Sequence, residues 1–156
     1  MHAIIHTKGV VLNERYVPLE LAYRDICGLL CHFQITSPMT FSQMRKMFPD
    51  CRPDVDVSVN KGTPYSDALT FLRNRYEFLQ SKFPEKTIVF GYKGEKYQPQ
   101  ILHDADIFDT VNVEMYGVPP LNSIPATTAH VSCFLHKGKS EKCALVALNR
   151  ITSYFL

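Results

Sequence analysis

The sequence has no tryptophan and few glycines, and it has no apolar run near the roughly 20 residues that a membrane-spanning helix needs. The missing run argues against membrane insertion. An excess of one charge is also lacking: 17 Lys and Arg stand against 15 Asp and Glu, a formal net charge of +2. Bulk charge therefore demands no nucleic-acid partner, and any basic surface must be local. The five cysteines, at 27, 31, 51, 133 and 143, are odd in number and form no regular disulfide framework. The N-terminal stretch lacks the apolar core of a signal peptide. An intracellular, reducing setting is expected, with thiols free or metal-bound.

What is present suits one globular domain over residues 1–156. Apolar residues make up 46% of the chain, and ten Phe and eight Tyr supply large core side chains. No repeat, linker or low-complexity segment divides it.

The pattern predicts short strands at 3–6 and 10–12, separated by Gly9. A second strand follows at 16–24, with Pro18 near its start. Asp25-Ile-Cys-Gly28 reads as a hairpin turn because glycine accepts the left-handed conformation cheaply. The return strand, 29–35, alternates: Cys31, Phe33 and Ile35 on one face, His32 and Gln34 on the other. Residues 36–65 are proline-broken, with a short helix around 41–47.

A helix is expected at 66–80, capped by Ser66 or Asp67, with Ala68, Leu69, Leu72, Tyr76 and Leu79 on one stripe. A buried strand at 87–90 and a helix at 95–102, interrupted by Pro99, come next. A strand at 108–115 carries Phe108, Val111, Val113 and Met115. The final helix spans 141–154, with Ser140 as cap and an apolar stripe of Cys143, Ala144, Ala147, Leu148, Ile151 and Phe155. An antiparallel opening followed by alternating α and β is the order of an RNase H-like α/β sheet. The expected architecture is a mixed sheet of about five strands flanked by helices.

Three soft metal-type ligands lie close together near the C-terminus: Cys133-x2-His136-x6-Cys143. Tetrahedral zinc needs a fourth ligand, and buried cysteine is also a common small hydrophobe. On spacing alone, a zinc site and a pair of core thiols with an incidental histidine both stand.

Val17-Pro-Leu-Glu-Leu-Ala22, a strand, and then Cys133-x2-His136-x6-Cys143-Ala-Leu-x-Ala with a trailing helix resemble the Maelstrom domain. That family belongs to the DnaQ-like branch of the RNase H-like fold. It carries a Glu-Cys-His-Cys set in place of catalytic acids. The resemblance implies a structural Zn²⁺ held by Glu20, Cys133, His136 and Cys143, closing the last helix onto the opening sheet. The family acts in piRNA-type small-RNA silencing of transposons, so it implies single-stranded RNA or silencing proteins as partners. The present chain is shorter than expected for that domain, matches poorly over 36–65 and has no HMG box, which suits a divergent stand-alone relative.

DnaQ-type exonucleases begin with Asp-x-Glu on the first strand and hold two metal ions between carboxylates. Here His6 and Lys8 stand at those positions, and a protonated lysine cannot ligate a metal. Glu95 falls too early to supply the next acid, and the final helix offers Cys143 and Asn149. Two-metal exonuclease chemistry is not expected. Asp104, Asp106, Asp109 and Glu114 are compatible with Mg²⁺ but read more simply as a solvated loop and strand edge. Cys51 has no base beside it and reads as a plain thiol.

Lysines and arginines that could meet RNA phosphates are Lys137, Lys139 and Lys142 in the C-terminal loop, Arg73 and Arg75 on the helix, and Lys93 and Lys96 beside Tyr92 and Tyr97. Three functions remain open: an RNA-binding zinc-stabilised domain, a single-stranded RNA endonuclease of another design, and a protein-interaction module using the Met-rich 36–65 stretch.

Overall fold

The computed structural model describes residues 1–37, 42–43, 46, 62–94, 96–124 and 143–154. Cys51, Cys133, His136, the three loop lysines and most of the 36–65 stretch lie outside them.

The described chain is α/β, with a five-stranded mixed sheet. Its strands are β1 (Ala3–Leu12), β2 (Arg15–Asp25), β3 (Leu30–Gln34), β4 (Phe90–Tyr92) and β5 (Thr110–Asn112). The spatial order is β3-β2-β1-β4-β5. β1 pairs antiparallel with β2 and β2 with β3, whereas β1–β4 and β4–β5 are parallel. The helices are α1 (Tyr65–Lys82), α2 (Gln100–Asp104) and α3 (Ala144–Ser153).

Strand alternation gives the sheet two faces. On one, Ile5, Leu21, Tyr23 and Phe90 pack with α1 and α2, through Ala68, Leu72, Tyr76, Leu79, Ile101 and Leu102. On the other, Ile4, Ala22 and Val113 pack against Cys143, Ala144, Leu145, Leu148 and Ile151 of the α3 segment. Each fully buried Leu or Ile side chain contributes about 1.5–3 kcal/mol, so both helix stripes hold firmly to the sheet. Among the described residues, no helix is long and apolar enough to cross a membrane.

β1 runs unbroken through Gly9, where two strands were expected. The register slips there instead: Lys8 faces Glu20 but Gly9 faces Pro18, leaving Leu19 as an extra residue on β2. A Cβ on Gly9 would lie 2.2 Å from the Val17 carbonyl oxygen, so the close approach requires glycine. The bulge also accommodates Pro18 in a central strand, where a missing N–H would otherwise break the ladder. Gly28, at φ +91°, closes the β2–β3 turn as the sequence suggests.

Several boundaries differ from expectation. Ser66 and Asp67 sit inside α1 rather than capping it; Pro64 holds the cap position, without a side-chain hydrogen bond. Pro99 likewise precedes α2, which starts only at Gln100, because proline has no N–H to give to a helix interior. The buried run ending in Phe90 becomes a strand only from Phe90 onward. The expected strand at 108–115 shortens to Thr110–Asn112. Asn112 then accepts a hydrogen bond from the Glu114 N–H, starting a 3-10 turn that ends at Gly117 (φ 81°). Phe108 and Met115 are consequently 68% and 80% exposed, not core residues. Cys143, not Ser140, is the N-cap of the last helix.

Candidate metal centre

The β2–β3 hairpin register sets out a polar grid on the α3 face. One cross-strand row is Gln34, Glu20 and Lys8; the next is His32, Ala22 and His6. Neighbouring strands lie about 4.8 Å apart, so these side chains share one small patch of sheet. Ala22 is the smallest member of the grid, and Cys143 and Ala144 at the start of α3 pack in the same cluster with it.

Three members of this patch converge. The ligand atoms of Glu20, His32 and Cys143 all lie within 4.8 Å of one another. His32 Nε2 is 2.5 Å from Glu20 Oε1 and 3.9 Å from Cys143 Sγ. The Ala144 N–H donates to the same Glu20 oxygen at 2.7 Å. Glu20 is 5% exposed and Cys143 fully buried. A carboxylate this deep needs donors around it, and the N-terminal end of α3 adds its own favourable partial charge.

One detail discriminates between two chemistries. A Cys-His-Glu relay needs the two imidazole nitrogens to face different partners, one the thiol and the other the carboxylate. Here a single nitrogen, Nε2, faces both. Metal ligation asks for this convergence: one atom from each residue, pointed at one spot. Full burial of Cys143 also denies a substrate access to its sulfur. Oxygen, nitrogen and sulfur donors within a few ångströms can hold one transition-metal ion. Among the described residues this is the one group of three that can do so.

Without an ion the cluster holds itself together by charge. Burial pulls His32 down, but hydrogen bonds and attraction from Cys143 and Glu20 outweigh it and raise its pKa to about 9. His6, nearby in the grid, goes the other way: burial, with Lys8 and Lys93 close by, lowers it to about 3. Lys8 is lowered by burial, partly offset by Glu20 and Cys143.

Of the four ligands that the family resemblance implies, the structure brings Glu20 and Cys143 together; Cys133 and His136 lie outside the described residues. It adds His32, which the sequence reading placed on the correct strand face but did not connect to Glu20. The signal was available in the pairing: a tight turn at 25–28 sets His32 opposite Ala22, two residues from Glu20. The acidic stretch 104–114 forms no such convergence. Asp104 instead accepts from Tyr65 Oη at 2.5 Å, and Glu114 pairs with Lys93 at 2.8 Å.

The proposed RNA-contacting residues are dispersed. Arg75 is on the α1 side and donates to Asp25 through Nε at 3.0 Å and through Nη2. Arg73 reaches Glu77 at 3.3 Å and the Asp106 carbonyl at 3.0 Å. The Lys93 side chain is 8% exposed and bound to Glu114. Lys96 is exposed, 5.2 Å above the Tyr97 ring, which itself stacks on Tyr16. Lys137, Lys139 and Lys142 lie outside the described residues. Cys27 and Cys31 are free thiols. Compared with known proteins, the chain matches no protein family, no curated protein and no solved structure.

Proposed function

We propose that this chain is a zinc-clasped RNase H-like domain that binds single-stranded RNA and does not perform two-metal exonuclease chemistry. The observation that carries the reading is the convergence of Glu20, His32 and Cys143 between the opening sheet and the N-terminus of α3. A mixed nitrogen, oxygen and sulfur set suits zinc, a borderline ion with no geometric demand of its own. Glu20 and Cys143 would supply the anionic ligands and His32 the neutral one. Zinc there would supply folding free energy, stitching β2, β3 and α3 into one unit. The strand order β3-β2-β1-β4-β5, three antiparallel and then parallel, supports the RNase H-like reading. His6 and Lys8 occupy the β1 positions where two-metal enzymes need carboxylates, which argues against that reaction.

Metal analysis of the purified protein tests the clasp: about one zinc per chain is expected. Protein that refolds fully and stably without any metal sinks it. Anisotropy with labelled single-stranded RNA, combined with a cleavage assay with and without EDTA, tests the rest. Binding without EDTA-sensitive cleavage is expected. EDTA-sensitive trimming from the 3′ end would contradict the proposal, and EDTA-resistant internal cleavage would favour the endonuclease of another design.

A second reading, a protein-interaction module, draws on Phe108, Met115 and Tyr116, each at least 64% exposed near the β5 edge. A stable co-purifying protein, together with no RNA retention at low salt, favours it.

A further inference from the structure

A second concave site lies on the α1 side of the sheet, away from the metal centre and independent of any ion. It is a cavity of about 600 Å³ lined by Tyr16 on β2, Ile35, Tyr65 at the start of α1, and Gln100 and Asp104 at the two ends of α2, with the exposed Arg15 at its rim. That size falls within the roughly 300–1,000 Å³ of pockets that take small organic ligands.

The aromatic walls of this cavity are held in place. The Tyr16 ring stacks on Tyr97 at 4.9 Å, and its hydroxyl bonds with Thr7 Oγ1 at 2.9 Å. The Tyr65 hydroxyl donates to Asp104 Oδ2 at 2.5 Å. Burial and that carboxylate push the Tyr65 phenol above its ordinary pKa, so it stays a donor to Asp104. Gln100 ties the two walls together: its Nε2 donates to the Tyr16 carbonyl oxygen at 3.0 Å, and it lies beside the Tyr65 hydroxyl. Rings already fixed by other bonds lose little freedom when a flat ligand stacks on them.

The polar groups left over define that ligand. The Tyr65 bond occupies Oδ2 and leaves Asp104 Oδ1 open. A carboxylate only accepts, so the ligand must offer N–H or O–H groups. Gln100 keeps a second amide hydrogen and its carbonyl oxygen. One guanidinium against one carboxylate leaves the lining near neutral, which disfavours both a simple anion and a metal cation. A flat neutral ring with N–H donors next to a carbonyl complements this lining. Among the nucleobases, guanine offers two adjacent N–H groups beside O6. Adenine and cytosine set a ring acceptor next to their amino group, and uracil has a single N–H.

We propose that this cavity is a guanine pocket: the base stacks on Tyr65, its N1–H and N2–H donate to Asp104, its O6 accepts from the Gln100 amide, and Arg15 meets the phosphate attached to its sugar. The base belongs either to a free guanine nucleotide or to a single-stranded RNA. The RNA source rests on the RNA-binding reading above; the pocket itself does not.

Calorimetric titration of the full chain with guanosine, adenosine, cytidine and uridine 5′-monophosphates tests the pocket. Saturable binding of the guanine nucleotide is expected, at least about tenfold tighter than that of the adenine nucleotide, the scale of one hydrogen bond to a charged group. Asp104→Asn, which can still accept from Tyr65, should erase that preference. Tyr65→Ala should weaken all four nucleotides by about tenfold through lost stacking. Arg15→Gln should remove the advantage of guanosine monophosphate over guanosine. The thermal midpoint reports whether each variant is folded. Asp104 is exposed, so if Tyr65→Ala fails to fold, Asp104→Asn decides the question alone.

No saturable binding, equal affinity for guanine and adenine nucleotides, or a guanine preference that survives Asp104→Asn overturns the pocket. Short oligoadenylates with and without one central guanine then separate the sources. An Asp104-dependent preference for the guanine-containing strand assigns a base of RNA. Guanine nucleotide binding without any oligonucleotide binding keeps the pocket and removes the RNA reading. Oligonucleotide binding that ignores both guanine and Asp104, without nucleotide binding, does the reverse.

Discussion

Two buried carboxylates on β2 lie five residues apart, point to opposite faces and are treated in opposite ways. Asp25 faces α1, and its side chain is fully buried. It is saturated by donors: Tyr23 Oη at 2.8 Å, the Cys27 N–H at 2.9 Å, the Leu29 N–H at 3.2 Å, and Arg75. None of these is a metal ligand. The arrangement is complete, locking the hairpin turn to α1. Glu20 faces α3, and its near neighbours include His32 and Cys143, side chains of the kind that can ligate a metal. Burial alone therefore does not mark a functional carboxylate; the chemistry of its neighbours does.

The largest effect should come from breaking the Glu20 side of this contrast. Cys143→Ser is expected to lose bound metal and to cost about 3–5 kcal/mol, because metal binding to a folded site is folding free energy and a buried charged set is broken. Chemical denaturation with metal analysis checks it. A chelator should lower the wild-type stability and leave the variant where it is. A variant that keeps its metal and its stability returns Cys143 to an ordinary core thiol.

Asp25→Asn should follow, at about 3 kcal/mol, the lower end of the range for truncating one partner of a buried ion pair. Arg75 is only 20% exposed and would be left without its carboxylate. Metal content should not change. If it falls, the two anchors are not independent, and the contrast between the faces fails.

Acid should distinguish the anchors as well. Burial pushes Asp25 up, but the hydrogen bonds from Arg75, Tyr23 and Leu29 outweigh it and hold its pKa below the ordinary value. A depressed carboxyl contributes stability that is full above its unfolded pKa of about 3.9 and is lost as pH falls through its folded pKa. Wild type should thus lose more stability than Asp25→Asn on acidification from pH 5 toward 2. Parallel denaturation curves for the two proteins across that window would remove Asp25 as a source of acid sensitivity.

The two anchors also differed in how readily the sequence disclosed them. The hairpin, α1 and its apolar stripe followed from alternation, Gly28 and helical spacing, all of them local rules. Cys143 showed itself by lying near Cys133 and His136 in sequence, and Glu20 entered only through a family resemblance. His32 was hidden because its role depends on cross-strand pairing with β2 and on the sequence-distant Cys143, which alternation along a single strand does not disclose. The short strands β4 and β5 and the exposed Phe108 and Met115 were misplaced for a similar reason. Three-residue parallel strands carry no period long enough to read, and the Asn112 cap that ends β5 is a tertiary choice.

The smallest effect separates Arg73 from Arg75, neighbours on α1 that both qualified as RNA contacts. Arg75 is committed to Asp25, so Arg75→Ala should cost about 3 kcal/mol and any loss of RNA binding would be confounded by that instability. Arg73 pairs with Glu77 in an i,i+4 arrangement in which the side chains are 40% and 58% exposed. Its carbonyl bond to Asp106 adds one ordinary hydrogen bond, so Arg73→Ala should cost no more than about 1 kcal/mol. Its guanidinium can therefore be removed with the fold intact. If Arg73 meets an RNA phosphate, the variant should bind RNA more weakly across all sequences, with a salt dependence reduced by about one ion. An unchanged salt slope removes Arg73 from any RNA contact.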